Sequence, residues 1–238
     1  MKKITVLSVA AFLIIVQSCG VKHPSSIKVD PEFEPNDVRR VLVAPVISSV
    51  PKGSDPRRQS EILTRRILWE NLTARDDYIF ISPQQFMITL NREAGPDAFG
   101  RFKNAWLEGK GADVELVRLL KKNLEIDTIL LPEVYLWFKD EADYREAGAA
   151  STTQVGMRIH FVDPLSAKVL WEATDENFME GVRTEGDRVE VTGAGGYDRR
   201  ISGVTATGRD MYSAPPFESV LVTVVEALVG AIPAHSLQ

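Results

Sequence analysis

The single thiol of this 238-residue chain is Cys19. It stands three residues after an apolar run, Ile4–Val16, that itself follows Met1-Lys2-Lys3. Exported proteins pair their cysteines, so a lone one in such a place points to another use of the sulfur. The remaining chemistry-bearing residues do not converge. His23, His160 and His235 fall in three separate regions, and with no further cysteine they assemble no zinc site. Gly193-Ala194-Gly195-Gly196 shares only its glycine content with a phosphate loop, because Tyr197-Asp198-Arg199-Arg200 follows instead of Lys-Ser/Thr and a helix. There is no G-x-S-x-G elbow. The carboxylates Glu133, Asp140 and Glu141 read as solvated surface, as do Arg57-Arg58, Arg65-Arg66 and Arg199-Arg200. Trp69, Trp106, Trp137 and Trp171 read as core or interface, and Asn71-Leu72-Thr73 is a glycosylation sequon in spelling only. No catalytic residue, cofactor site or metal site is expected, and the chain is read as non-enzymatic.

The N-terminus has the layout of a secretory signal: basic residues, an apolar stretch, then small or neutral residues. The stretch is shorter than the roughly 20 apolar residues of a membrane-spanning helix, and polar residues follow it. Val16-Gln17-Ser18-Cys19 resembles the bacterial lipobox. In that family the cysteine thiol is diacylated, the signal is cut just before it, and the new amino group is acylated. The resemblance places cleavage between Ser18 and Cys19 and the lipid on Cys19. Gln17 is a less usual residue at its position. Two or three acyl chains hold a protein essentially permanently at a membrane. Gly20 stands where enteric bacteria use aspartate to retain lipoproteins at the inner membrane, so the family rule points to the periplasmic face of the outer membrane.

The expected organisation is a signal peptide over 1–18, a lipid-anchored flexible tether over 19–37, and one domain over 38–238. Loss of Lys2 and Lys3 with the signal takes the net charge from −5 to about −7. An acidic chain gives no support to nucleic-acid binding. Gly20–Asp37 is rich in Pro, Ser and charge and reads as unfolded or laid along the domain surface.

Within the domain, apolar periodicity sets the elements. Arg39–Val46 is a short valine-rich run and reads as a buried central strand, followed by a polar loop over 48–56. A helix is expected over 57–75, with Leu63, Ile67, Leu68 and Leu72 as its stripe. A strand over 78–82 leads to Ser82-Pro83, a cap and first-turn proline for the next helix. Helices over 97–108 and 113–124 precede a strand over 127–138. Residues 153–163 alternate, with Val155, Met157, Ile159 and Phe161 on one face and Gln154, Arg158 and His160 on the other, as in a half-exposed strand. A turn at Asp163–Ala167 returns it antiparallel through 168–175. The glycine-rich segment 181–216 is a long loop, and Phe217–Ile232 is a closing amphipathic helix. This order gives an α/β (α+β) fold with a single mixed sheet, its early strands parallel and its later ones a C-terminal antiparallel hairpin, flanked by helices.

The lipobox, the VLVAPV strand, the ILLPEV strand, Val162-Asp163 with Val169-Leu170-Trp171, and the final helix resemble one family. This is the superfamily of small outer-membrane lipoproteins around the curli secretion channel subunit CsgG, with PelC, LpoB and the TolB amino-terminal domain. The resemblance implies an accessory or assembly subunit of a secretion or polysaccharide-export system. Its partners would be the membrane through the acyl chains on Cys19, further copies of itself, and other envelope proteins. Activation of a peptidoglycan synthase is the alternative. A lipid-anchored periplasmic enzyme, with 181–216 as its lid, is a third reading.

Overall fold

The computed structural model describes residues 23–141, 151–181, 188–192, 198–202 and 214–234. Ser18, Cys19 and Gly20 lie outside these residues, as do Gly193–Gly196 and His235. The strands are β1 (Ser26–Val29), β2 (Arg40–Val43), β3 (Ile47–Ser48), β4 (Ile79–Ile81), β5 (Thr128–Asp140), β6 (Thr152–Val162), β7 (Val169–Glu180), β8 (Arg188–Thr192) and β9 (Asp198–Ser202). The helices are α1 (Gln59–Thr73), α2 (Pro83–Ala94), α3 (Ala98–Leu107), α4 (Val114–Leu124) and α5 (Phe217–Ala231).

One mixed sheet runs β1-β7-β6-β5-β2-β4, with β3 also on β5. β2 is parallel to β4 and to β5, while β5-β6, β6-β7 and β1-β7 are antiparallel. The mixed sheet with parallel early strands and a late hairpin is therefore as expected. β8 and β9 form a separate antiparallel pair within the glycine-rich segment that was expected to be a loop.

The run 39–46 does not form one strand. It pairs with β5 as β2, and the chain then resumes as β3 beside Glu133 and Val134. Pro45 lies between the two and has no N–H for the ladder, which is why the pairing breaks there. Of the two arrangements expected for 20–37, the described part takes the second. Ser26–Val29 pairs with Trp171–Thr174 as an edge strand. Ser25 fixes its start by donating from its backbone N–H and hydroxyl to Asp175, at 3.1 and 2.8 Å. Lys168 closes its end on Asp30 at 2.8 Å.

Local sequence explains the starts of α1, α2 and α4. Ser82 accepts from the Gln85 N–H ahead of Pro83, and Asp113 accepts from the N–H groups of Glu115 and Leu116. The cap of α1 lies further back than its first residue. Asp55 accepts from the backbone N–H groups of Gln59 and Ser60, so Ser60 and Thr64 join the buried face of α1 beside Ile67, Leu68 and Leu72.

Each face of the sheet carries its own core. On one, α1 and α5 cover Val41, Leu130, Val155, Met157, Ile159, Phe161 and Trp171. On the other, α2, α3 and α4 cover Leu42, Ile129, Leu131 and Val162 with Phe86, Phe102 and Leu120. β5, β6 and β7 are long, and the second helical layer covers only part of their length. Both the candidate site and the exposed end of the sheet follow from that mismatch.

Candidate functional site: a polar recess at the edge of the helical layer

Along the face that carries α2–α4, β5 passes from apolar Ile129 and Leu131 to Glu133, and β6 places Arg158 opposite Glu133 and His160 opposite Leu131. β7 adds Glu172 opposite His160, and β1 adds Lys28 opposite Glu172. The C-terminal end of α3 supplies Trp106. Glu133, Arg158, His160, Glu172 and Trp106, with Ser49, Leu107, Gly109, Gly111 and Val169, line a recess of about 390 Å³.

His160 is the centre of it and is only 3% exposed. Its Nδ1 lies 3.2 Å from Glu172 Oε2 and its Nε2 lies 3.8 Å from Glu133 Oε2. Neither ring nitrogen makes an aligned hydrogen bond. Trp106 stands edge-on to the imidazole, with centroids 4.8 Å apart. The strand was expected to be half exposed on this side; instead the α3 turn and Trp106 bury His160, because the loop after α3 folds over the sheet.

Glu133 is held in place from three sides. Trp106 Nε1 donates to its Oε2 at 3.1 Å, and Ser49 Oγ donates to its Oε1 at 3.1 Å. Burial alone would raise its carboxyl. The His160 imidazole, those two hydrogen bonds and the Arg158 charge outweigh burial and hold it below its ordinary value. Glu172 behaves alike: burial raises it, but the Lys28 hydrogen bond at 2.7 Å and the nearby His160 and Arg158 lower it. The recess therefore presents two ionised carboxylates around an imidazole. That arrangement can accept hydrogen bonds from the donors of a small polar molecule.

Arg158 lies over the Tyr135 ring, 4.6 Å from its centroid. This cation–π contact keeps the guanidinium on the sheet. A second, more open recess of about 490 Å³ lies at the other end, between Arg118, Lys121 and Lys122 of α4 and Leu165 of the β6–β7 turn. Among the described residues no three His, Cys, Asp or Glu side chains stand close enough to hold a metal ion. No described helix is long and apolar enough to cross a membrane.

No protein-family model matches the chain, and no curated protein matches it either. Solved structures do. The PelC dodecamer from Paraburkholderia phytofirmans is similar at 12% identity and a TM-score of 0.45, over 89% of this chain and 97% of that one. Lipoprotein GNA1162 from Neisseria meningitidis is similar at 17% identity and a TM-score of 0.40, over 60% and 83%. The LpoB C-terminal domain from Salmonella enterica is similar at 9% identity and a TM-score of 0.34, over 58% and 82%.

Of the acidic residues singled out in the sequence, the fold brings only Glu133 into the recess. Asp140 and Glu141 lie at the far end of β5, where Glu141 stands 3.7 Å from Lys139. His23 is exposed. Trp137 stacks on Phe217 at 4.2 Å and Trp171 is buried, so both serve the core. Glu172 and Trp106 were not foreseen as neighbours of His160, nor Ser49 as a partner of Glu133. The available signal was modest: a glutamate inside the apolar run LLPEV, and a histidine in phase with an arginine on the polar side of β6.

Proposed function

We propose that this chain is a lipid-anchored envelope protein, acylated on Cys19, that works as a non-enzymatic accessory or assembly subunit beside the membrane that holds it. The lipobox-like Val16–Cys19 supports the anchor. The observation that carries the rest is the docking of β1. Because Ser26 is already paired to Thr174 of β7, seven steps of chain separate Cys19 from the folded sheet. That is roughly 25 Å at full extension. The domain therefore works against its own membrane rather than across the periplasm, which favours a secretion or export accessory over an activator that must reach a distant synthase. Copies held in one thin layer also meet at raised effective concentration, which favours self-association. Gly20 favours the outer membrane by the sorting rule for enteric lipoproteins.

A second reading rests on the recess: Glu133, His160 and Glu172 around a cavity are the kind of group that binds or processes a small polar molecule. Two experiments test the first reading. Metabolic labelling with a palmitate analogue is expected to mark wild type and not Cys19→Ser; equal label on both defeats the anchor. In-cell crosslinking is expected to give self-adducts or adducts with neighbours in the same membrane. An inner-membrane synthase as the main adduct, with neither of those, defeats the accessory reading.

A further inference from the structure

β1 has a direction as well as a position. It runs antiparallel to β7, with Ser26 opposite Thr174 and Val29 opposite Trp171. Its N-terminal end therefore points toward Phe178 and Glu180, where β7 ends. Phe178 lies about 13 Å beyond Thr174 at strand spacing. The seven steps back to Cys19 span roughly 25 Å, enough to pass that level. The β6–β7 turn at Leu165 lies at the opposite end of the sheet, away from which β1 points.

The end of the sheet toward which the N-terminal end of β1 points carries two exposed aromatic side chains. Phe138 and Phe178 both pair in register with Gln154 of β6, from β5 and β7 respectively. Residues in register share a face, and this is the face that α2–α4 leave uncovered. Phe138 is 46% exposed and Phe178 is 57% exposed. Half-buried Leu136, one rung inward, extends the apolar surface. Among the described residues at this end, one lysine, Lys139, stands against four carboxylates, Asp140, Glu141, Glu176 and Glu180.

We propose that the Phe138–Phe178 end of the sheet rests on the lipid bilayer, with the two phenyl rings inserted at the headgroup level beside the acyl chains of Cys19. This rests on the acylation reading above and adds an orientation to it. Anchor and rings act together: acyl chains fix the protein to the surface, and the short chain to β1 brings this end of the sheet down first. Exposed apolar rings gain from burial among lipid in proportion to the apolar area they remove from water. The acidic surround disfavours anionic headgroups, so the matching surface is zwitterionic. The domain then stands on this end, with the polar recess further from the membrane and the Leu165 turn furthest.

Acylation consumes the only native thiol, so a cysteine introduced elsewhere is the sole labelling site. Full-length acylated protein carrying Phe138→Cys, Phe178→Cys or Leu165→Cys, each labelled with an environment-sensitive nitrobenzoxadiazole dye, is reconstituted in phosphatidylcholine vesicles. All three positions are exposed, and thermal melting verifies the fold of each variant. Doxyl-labelled lipid is expected to quench the dye at 138 and 178 several-fold more than at 165. Equal quenching at 178 and 165 overturns the proposal. A dye at 178 that is blue-shifted but untouched by doxyl lipid also overturns it, and assigns this face to a second copy. Flotation of the same samples reads the anchor separately: protein that fails to float with vesicles refutes the acylation reading, and the orientation with it.

Discussion

The ring of Tyr135 lies directly over Gly156, so that a Cβ placed on Gly156 would stand 2.7 Å from two of its ring carbons and 2.9 Å from Leu136 Cβ. The cause is a bulge in β5: pairing with β6 shifts between Val134 and Leu136, which leaves Tyr135 without an opposite residue. The displaced ring covers the glycine and in turn receives the Arg158 guanidinium.

Gly156→Ala is therefore expected to push the ring aside and loosen the Arg158 contact as well. Overpacking of this kind costs about 1–3 kcal/mol. Urea unfolding of Gly156→Ala beside Tyr135→Ala and the double variant checks it. If the steric account holds, Gly156→Ala costs much less once the ring is gone. An undiminished cost in the Tyr135→Ala background would place the penalty elsewhere.

Much of the architecture was legible because it rests on local signals. Ser82-Pro83 caps a helix where its residue types and spacing said it would, and the alternation of 155, 157, 159 and 161 does put those four side chains in one core. What escaped was set by contacts distant in sequence. Nothing near Ser26 marks it as a strand; its pairing is supplied by β7, some 150 residues on. His160 is on the polar side of its strand by pattern, yet Trp106 and the turn after α3 cover it. Periodicity assigns a side chain to a face and says nothing of what later packs there. For the same reason Glu133 looked like an ordinary acid, although Ser49, Trp106 and His160 arrive around it from three other elements.

The Glu133 environment sets a pH dependence. Its carboxyl is held below the ordinary value near 4.5. A group depressed on folding contributes stability that is present above its unfolded pKa and lost as pH falls through the folded one. Wild type is thus expected to lose stability from about pH 4.5 downward as Glu133 protonates, with Glu172 adding in the same sense. Glu133→Gln keeps the shape, removes that titration, and is expected to be less stable at neutral pH with a shallower acid limb. Denaturant midpoints measured from pH 7 to pH 3 test this. Parallel wild-type and Glu133→Gln profiles would mean that the carboxylate gains nothing from its partners.

The last helix offers a sharper test, because neighbouring positions should respond very unequally. Val220, Leu221, Val224, Val225 and Leu228 of α5 are fully buried against the sheet and α1. The C-terminal end of α5 is tied down: Arg75 donates to the carbonyls of Val229 and Ile232, at 2.7 and 3.2 Å, and Tyr78 donates to Pro233 at 2.6 Å. Its N-terminal end is pinned by Phe217 stacking on Trp137. With both ends fixed, α5 cannot rotate to carry a new charge into solvent. Val224→Asp then buries an unpaired carboxylate and is expected to cost at least about 3 kcal/mol. Thr223→Asp, one residue earlier and half-exposed, is expected to cost less than about 1 kcal/mol. Thermal and urea unfolding of the two variants measure the difference. A Val224→Asp protein that melts within a degree or two of wild type would show that α5 is not a fixed part of the core, and that its apolar stripe is free for a partner.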